Sequence, residues 1–258
     1  MRPLGVIGHL SRDVVAGGSP RIGGGPWHAA RALRALRHDA IVFAKCGERE
    51  LGQQLATLGL PLSVTLGGET TAFSFSYDAD GARTMAVDAV GEPWRLTELP
   101  QNVLRRVAWL HVVPLLHGDF DADAFEWLAR DRRILLDGQG LVRRRQLGTL
   151  ELAHSLDRTL LRHVAILKLA EEEAEALGDV HELGVPEILI TRGARNATIV
   201  TREGDEDVAV RAVDADPTGA GDAFAATYLA ARAEGHRPSS AARRAAALVS
   251  ALLAGRAQ

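Results

Sequence analysis

The sequence has little cysteine and no strong excess of either charge. Its 258 residues include a single cysteine, Cys46, so no disulfide can form within the chain. The 30 lysines and arginines are balanced by 33 acidic residues, which leaves no broad basic field of the kind that non-specific nucleic-acid binding requires. We therefore expect a cytoplasmic protein with no nucleic-acid partner.

The sequence also lacks a long uninterrupted apolar segment. The apolar run near the N-terminus is short and soon meets Arg12 and Asp13, which argues against a signal peptide. No later run reaches the roughly 20 apolar residues that a transmembrane helix needs. With 47% hydrophobic residues the chain can still bury a large core, so we expect a soluble globular protein with no membrane partner.

Short apolar runs of β-forming residues alternate with helical patterns along the chain. Strands are predicted at residues 4–7, 40–44, 107–113, 134–136, 164–167 and 187–191. Helices are predicted at residues 26–36, 48–58, 120–129, 223–233 and 239–253. Such alternation is typical of a doubly wound α/β fold with a mostly parallel sheet flanked by helices.

One segment departs from this alternation. Residues 71–77 alternate between polar and apolar, residues 78–81 contain a turn with Gly81, and residues 83–87 return, which predicts a β-hairpin. Residues 12–15 could add a third strand. We predict one domain, 1–258, with a small β lid formed by parts of 9–20 and 66–90. Projecting sheets have edges to cover, so we expect a homodimer through the lid.

The most informative segment, Asp216-Pro-Thr-Gly-Ala-Gly-Asp222, stands where a loop gives way to a long helix. Glycines at a helix start allow backbone N–H groups to approach an anion, and the helix dipole favours negative charge there. Asp222, in the first turn, could accept a proton from an attacking hydroxyl. Alternatively the glycines only form a tight turn and Asp222 stabilises the dipole by a few tenths to about 1 kcal/mol.

This segment resembles the D-[TP]-x-G-A-G-D signature of the ribokinase-like (PfkB) carbohydrate kinases. The resemblance implies a ribokinase-like fold and transfer of the γ-phosphoryl group of ATP, with Mg²⁺, to a hydroxyl of a sugar, myo-inositol or a nucleoside. It implies that Asp222 is the catalytic base and that the amides of Gly219, Ala220 and Gly221 form the anion hole. It also implies a monovalent cation, K⁺, at Asp216 and Thr218.

Three further segments resemble acceptor-binding motifs of this family. Residues 8–13 are similar to a first strand ending in G-x-x-x-x-D, and residues 23–30 to G-G-x-x-x-N-x-A, with His28 in place of Asn. Residues 137–143 resemble a D-x-Q-x-x-x-R segment of the inositol-kinase-like branch. The implied acceptor ligands are Asp13, Gly24, Gly25, His28, Asp137 and Gln139. Taken alone, Asp13 could equally be a turn or cap residue.

Two other segments resemble the donor side of the family site. Residues 191–196 are similar to the T-x-G-x-x-G turn that approaches ATP, with Asn196 expected to tolerate the left-handed backbone of the second glycine. Residues 168–174 are similar to the N-x-x-E motif, although Ala170 replaces the Asn. The implied donor contacts are Thr191, Gly193, Asn196 and Lys168. Glu173 is implied to organise Mg²⁺ through water, or else it only favours a helix N-terminus.

Two alternatives stay open at this point. The departures at Ala170, Asn196 and His28 would also suit a catalytically silent ligand-binding or regulatory protein of the same fold. A kinase for a phosphorylated sugar would instead need a basic residue aimed at the acceptor's phosphate, and Arg83 or Arg143 could serve.

Overall fold

The computed structural model describes residues 2–15, 18–52, 55, 57–77, 83–154 and 158–255. These residues contain the strands β1 (Leu4–His9), β2 (Ser11–Val15), β3 (Arg21–Gly23), β4 (Ala40–Cys46), β5 (Leu62–Leu66), β6 (Thr71–Tyr77), β7 (Arg83–Ala89), β8 (Trp109–Val113), β9 (Arg133–Asp137), β10 (Gly148–Thr149), β11 (Val164–Ala170), β12 (Glu187–Thr191), β13 (Asn196–Thr201) and β14 (Gly204–Ala209). Their helices are α1 (Gly25–Ala35), α2 (Gln101–Leu104), α3 (Ala122–Ala129), α4 (Gln139–Val142), α5 (Glu171–Leu177), α6 (Ala220–Ala233) and α7 (Pro238–Ala254).

The larger sheet has nine strands in the order β14-β13-β12-β11-β9-β8-β1-β4-β5. The seven strands from β12 to β5 pair in parallel, while β13 and β14 are antiparallel. Central strands such as β1 and β4 are buried along their whole length, as expected where helices cover both faces of a parallel sheet. The predicted doubly wound, mostly parallel α/β fold is confirmed.

Two hydrophobic clusters cover the opposite faces of this sheet. Ile7 belongs to one cluster, together with Phe125 of α3, whereas its neighbour Val6 belongs to the other, with Phe224 of α6. Successive side chains of a strand point to opposite faces, so one apolar run can supply both clusters. The resulting three-layer core holds the carboxyl ends of the strands in fixed positions.

A second sheet of five strands has the order β10-β7-β6-β2-β3. It contains the predicted hairpin, β6 and β7, and the predicted third strand β2, which pairs in parallel with β6. The turn at 78–81 lies outside the described residues. Phe73 and Phe75 are buried in a small cluster with Leu115 and Leu116, which follow β8 of the large sheet. This packing places one face of the second sheet over the carboxyl ends of the parallel strands.

Several elements differ from the sequence prediction. Within the predicted helix 48–58, the described residues begin with a short 3₁₀ turn, Glu48–Glu50, and parts of the remainder lie outside them. The strands β5, β13 and β14 were not predicted. Strand β14 is almost entirely exposed and β5 is half-buried, because both lie at edges of the sheet. Edge strands need no apolar run, so their sequences carry a weak strand signal.

Polar side chains fix the place where the chain passes between the two sheets. His9, Asp119 and Arg145, which we name the junction cluster, lie beside the ends of β1 and the connection to β10. Asp119 Oδ1 accepts from Arg145 Nη1 at 2.6 Å. Asp119 Oδ2 accepts from the N–H groups of Leu115 and Leu116 at 2.7 and 3.0 Å and lies 3.4 Å from His9 Nδ1.

The junction cluster also contacts the segment that returns from β7 to the large sheet. Arg145 donates to the carbonyl oxygen of Gly91, and the Nε2 atom of His9 lies 2.8 Å from the carbonyl oxygen of Glu92. Three separate crossings between the sheets therefore meet at one buried carboxylate. A buried carboxylate with this many donors stabilises the fold. If it were removed, the buried donors would lose their hydrogen bonds, and water could not replace them.

Two further properties concern the chain as a whole. Cys46 is buried, and burial together with the negative charge of Glu50 raises the pKa of its thiol to about 11. Among the helices of the described ranges, none combines the length and apolarity that a membrane span requires.

Candidate active site

A cavity of about 160 Å³ lies between the carboxyl ends of the parallel strands and the second sheet. Ligands of open α/β sheets bind at this edge. The lining includes ten predicted site residues: Asp13, Gly24, Gly25, His28, Gln139, Lys168, Thr218, Gly219, Gly221 and Asp222. The remaining lining residues are Ser11, Phe73, Phe75, Met85, Leu115, Pro217 and Arg143, the last of which was named only for the phosphorylated-sugar alternative. The predicted residues that do not line it are Asp137, Glu173, Thr191, Gly193, Asn196, Asp216 and Ala220.

The glycines of the signature are required by their surroundings. Gly219 precedes α6 in a left-handed conformation with φ 77°, and a Cβ atom there would overlap the ring of His28. A Cβ at Gly221 would lie 2.9 Å from Lys168 Nζ. Side chains at these positions would therefore fill the space beside the helix N-terminus, where an anion is favoured.

One of the three amides predicted to form an anion hole is bonded within the chain. The N–H of Ala220 donates to the carbonyl oxygen of Pro217 at 2.9 Å and is not available to a ligand. For the N–H groups of Gly219 and Gly221, no acceptor is found within the described part of the chain. Two amides, rather than three, are thus free to bind an anion at the start of α6.

Asp222 lies in the first turn of α6 and lines the same cavity. Its Oδ1 atom lies close to the start of α1, because a Cβ at Gly25 would be 3.1 Å away from it. Burial first, and then the negative charge of Asp137, raise the pKa of Asp222 to about 7, against the opposing charges of Lys168 and Arg143. A carboxylate with a pKa near neutrality can accept a proton and later release it to water.

Lys168, at the end of β11, supplies positive charge to the wall of the cavity. Its Nζ atom lies 3.5 Å from Asp137 Oδ2, and the side chain is almost completely buried. Burial disfavours the ammonium form, but the carboxylates of Asp137, Glu173 and Asp222 outweigh it and raise the pKa of Lys168. The ammonium group therefore stays charged, next to the position of Gly221.

The acceptor side of the cavity is built around Asp13 on β2. Asp13 Oδ1 accepts a hydrogen bond from Ser11 Oγ at 2.7 Å, and both side chains are buried. A Cβ at Gly23 would overlap the Asp13 carboxylate, and Gly24 has φ 91° with the carbonyl oxygen of His9 beside its missing Cβ. The glycine run thus lets the start of α1 approach Asp13. Ser11 was missed in the sequence, where only its spacing of two residues from Asp13 signals it.

Gln139 and Asp137 take different positions. Gln139, at the start of α4, lines the cavity. Asp137 lies behind it, with 1% of its surface exposed, and its Oδ1 accepts weakly from the N–H of Gln139 at 3.4 Å. Asp137 does not line the cavity. Its negative charge affects the cavity by raising the pKa values of Lys168 and Asp222.

Glu173 lies in a setting that favours the structural alternative. Its Oε2 accepts from the N–H of Ala170 at 2.8 Å, which caps α5, and its Oε1 lies 3.6 Å from Arg143 Nη2. Only 1% of Glu173 is exposed. The described residues contain no cluster of three or more His, Cys, Asp or Glu side chains suited to a metal. Both carboxylate oxygens of Glu173 thus lie against groups of the chain, and its implied role toward Mg²⁺, through water, stays a prediction.

The donor-turn residues lie outside this cavity. Thr191 Oγ1 donates to the carbonyl oxygen of Leu169 at 3.2 Å, and Gly193 adopts a left-handed conformation with φ 57°. Asn196 does not: it begins β13 and pairs with Ala209, and the described non-glycine residues with positive φ are Arg37 and Asp131. The left-handed backbone predicted for Asn196 is wrong, because strand pairing fixes this residue in an extended conformation.

Asp216 and Thr218 form a turn immediately before Gly219. Asp216 Oδ1 accepts from both the N–H and the Oγ1 hydroxyl of Thr218, at 3.0 and 2.6 Å. Asp216 Oδ2 accepts from Arg21 Nη2 at 3.2 Å. The resemblance implies K⁺ at this carboxylate. In the structure the carboxylate contacts the guanidinium group of Arg21.

A second cavity, of about 520 Å³, lies between the loop after β14 and one face of α7; we name it the helix groove. Ala246, Ala247 and Ser250 form its helical wall, and residues 211–213 form the other. The loop continues from there to Gly219, so it joins the helix groove to the anion hole. The many alanine side chains leave space for a planar apolar group.

Part of the chain is similar to a known protein family, and its fold is similar to that of solved structures. Residues 147–256 match the family model described as pfkB family carbohydrate kinase. A pyrophosphate-dependent kinase of the ribokinase family, complexed with a pyrophosphate analog and myo-inositol, is 23% identical, with 97% of this chain and 94% of that chain covered and a TM-score of 0.83. A pyrophosphate-dependent myo-inositol-1 kinase converted by mutation into a myo-inositol-3 kinase is 22% identical, with 97% and 93% covered and a TM-score of 0.84.

A third solved structure represents the ribokinases proper. Ribokinase of Arabidopsis thaliana, complexed with ribose and ATP, is 18% identical, with 98% of this chain and 93% of that chain covered and a TM-score of 0.73. At this identity the likeness establishes the fold, which extends over nearly the whole chain. Residues 147–256 therefore match a pfkB family carbohydrate kinase domain, and the ribokinase fold extends over nearly the whole chain.

Proposed function

We propose that this protein transfers a phosphoryl group from a phosphate donor to a hydroxyl of a small polyol, with Asp222 as the general base. One observation carries the proposal: a carboxylate whose pKa is raised to about 7 shares a cavity with two unbonded amides at a helix N-terminus. Phosphoryl transfer requires two features of a protein, a general base and an anion hole, and this cavity brings Asp222 and the two amides together.

In the proposed reaction Asp222 takes the proton of the acceptor hydroxyl as its oxygen attacks phosphorus. A new oxygen–phosphorus bond forms, and the bond from phosphorus to the leaving phosphate oxygen breaks, so the leaving group keeps the electron pair. The amides of Gly219 and Gly221 and the ammonium of Lys168 stabilise the charge on the transferred group. Mg²⁺ carried by the donor phosphates would neutralise part of their charge. Afterwards Asp222 returns its proton to water.

The acceptor is proposed to lie against Asp13, Gln139 and His28. An ionised carboxylate can accept hydrogen bonds from two neighbouring hydroxyls, which suits a polyol ring. The apolar side chains of Phe73, Phe75 and Met85 line the opposite wall, so the second sheet would exclude water once the acceptor is bound. Of the acceptors implied by the resemblance, myo-inositol is our first candidate.

ATP is our first candidate for the donor, with its nucleoside in the helix groove. The groove is joined to the anion hole by one loop, and its small side chains leave room for a base. Pyrophosphate is the second candidate, because two structural relatives are described as pyrophosphate-dependent. The exposed Ala247 lines the groove, so Ala247→Phe should raise KM for ATP and leave KM for pyrophosphate unchanged.

The decisive experiment combines both donors with a panel of acceptors. The purified protein is incubated with Mg·ATP or Mg·pyrophosphate and with sugars, myo-inositol or nucleosides, and the phosphate ester is detected by mass spectrometry. We expect an acceptor-dependent product with one donor. If no acceptor yields a product with either donor, the proposed function is wrong and the catalytically silent alternative takes its place.

Several finer predictions stay open to separate tests. The requirement for K⁺ can be measured by replacing potassium salts with tetramethylammonium salts in the same assay. Light scattering tests the homodimer through the second sheet, and microscopy of a tagged chain tests the cytoplasmic location. A phosphorylated acceptor would need a cation for its phosphate; Arg143 lines the cavity but is partly engaged by Glu173.

A further inference from the structure

Arg21 joins the second sheet to the loop that precedes the anion hole. It begins β3, the strand at one edge of the second sheet. Its guanidinium group reaches Asp216, 195 positions further along the chain, with Nη2 at 3.2 Å from Oδ2. No other ion pair among the described residues connects β3 to the loop 210–219.

The carboxylate that Arg21 contacts also shapes the turn before Gly219. Asp216 Oδ1 accepts two hydrogen bonds from Thr218, one from its N–H and one from its hydroxyl. The next residue, Gly219, takes a left-handed conformation and lines the cavity. The Asp216 carboxylate is therefore bonded to the residue that immediately precedes the first amide of the proposed anion hole.

The pair is charged at neutral pH. Partial burial disfavours the carboxylate, but the hydrogen bonds from Thr218 and the charge of Arg21 hold the pKa of Asp216 below its usual value. Both side chains are almost half exposed, at 49% and 44%. An ion pair this exposed contributes only about 0–1 kcal/mol to the stability of a fold. Its location next to the signature, rather than its strength, gives it a role.

We propose that Arg21 is a positioning residue: it ties Asp216 to the second sheet, so that the Gly219 and Gly221 amides keep the orientation that phosphoryl transfer needs. The proposal rests on the proposed function and extends it. It also means that the second sheet contributes to the donor side of the site through Arg21, in addition to forming the wall of the acceptor side.

Kinetic measurements test the proposal with matched variants. Arg21→Ala should lower kcat by about fivefold, which corresponds to the upper range for an exposed pair, while KM for the acceptor changes little. Asp216→Asn should lower kcat similarly, because an amide oxygen can still accept from Thr218 but no longer carries charge. The double variant should fall no further than either single one. Arg106→Ala is the control, since Arg106 is exposed, lies before β8 and away from the cavity that Arg21 and Asp216 line, and makes no ion pair with the described residues.

Two further readouts separate positioning from general destabilisation. Guanidinium ions at millimolar concentration should partly restore kcat of Arg21→Ala and leave kcat of Arg106→Ala unaffected. Hydrogen exchange followed by mass spectrometry should show faster exchange in the peptide covering residues 214–224 of Arg21→Ala, with the remainder unchanged. Additive losses in the double variant, or equal losses in Arg106→Ala, would overturn the proposal.

The exchange measurement does not depend on catalysis. If the native protein transferred no phosphoryl group, the proposed function would fail, and the exchange of residues 214–224 would still decide whether Arg21 holds the turn. Unchanged exchange in Arg21→Ala overturns the positioning role even if the native protein is an active kinase.

Discussion

Two aspartates at the same edge of the large sheet, the buried Asp119 and the partly buried Asp222, have pKa values shifted in opposite directions. In the junction cluster, Asp119 has its pKa held below the usual range: burial opposes ionisation, but His9 and two backbone N–H groups outweigh it. In the cavity, burial and Asp137 raise the pKa of Asp222 to about 7. Both carboxylates are at least partly shielded from bulk water. The opposite directions of their pKa shifts therefore follow from the donors and charges that surround them.

The donors around each carboxylate decide whether its charge serves stability or chemistry. Asp119 accepts from Arg145 and from two successive amides, so its negative charge is satisfied within the protein. For Asp222, the described residues supply no comparable set of donors, and its side chain faces a cavity. A carboxylate without donors has a raised pKa and a capacity to accept a proton, which is the property of a base.

The strongest test of this comparison removes the anchoring carboxylate. Asp119→Ala should reduce the free energy of unfolding by about 3–5 kcal/mol, because it leaves Arg145 and two buried amides without their acceptor. Chemical denaturation measures the loss. Asp88→Ala is the control: Asp88 is an exposed residue of β7, and its loss should change stability by less than about 0.5 kcal/mol.

The pH dependence provides an independent check on Asp119. A carboxylate with a lowered folded pKa stabilises the protein above its unfolded pKa of about 3.9, and this contribution disappears as the pH falls further. The difference in stability between native protein and Asp119→Ala should therefore shrink in acid. An equal difference at pH 7 and pH 3 would contradict the structural assignment.

The second test removes the proposed base. Asp222→Asn should lower kcat by at least about 10²-fold, the lower range for a lost general base, without loss of stability. The matched control is Asp214→Asn, an exposed aspartate of the loop that precedes α6, which should keep near-native turnover. Near-native turnover of Asp222→Asn would show that the carboxylate is only another structural group.

The smallest expected effect tests which neighbour raises the pKa of Asp222. The pH profile of kcat/KM should rise through an apparent pKa of about 7, since Asp222 must lose its proton to act as a base. Asp137→Asn removes a like charge and should move this limb to lower pH. A limb that stays in place, or moves to higher pH, would exclude Asp137 as the neighbour that tunes the base.

The sequence predicts the fold well where strands are buried on both faces. The runs at β1, β4, β11 and β12 are nearly continuous in apolar residues, because helices cover both sides of the sheet. At the edges that requirement disappears. The β14 sequence, Gly-Asp-Glu-Asp-Val-Ala, resembles a loop, and pairing with β13 decides its conformation.

The candidate site could be predicted where its residues are close in the sequence. Gly219, Gly221 and Asp222 form one short motif, and the structure brings them to the same cavity as Asp13 and Lys168. Contacts over long separations carried no signal: the pairs Arg21–Asp216 and Arg143–Glu173 follow from the packing of distant elements. Asn196 shows the converse error, where local tolerance of a turn was overridden by pairing in a strand.

The buried thiol of Cys46 has a practical consequence for measuring motion. A thiol with a pKa of about 11 and little access to solvent reacts slowly with maleimides and other alkylating labels at neutral pH, where its thiolate fraction is very small. Because it is the only cysteine, spin labels or fluorophores can be attached to cysteines introduced on the second sheet and on α7 without first replacing the native one. The distance between the second sheet and α7 could then be followed in solution as donor and acceptor are added.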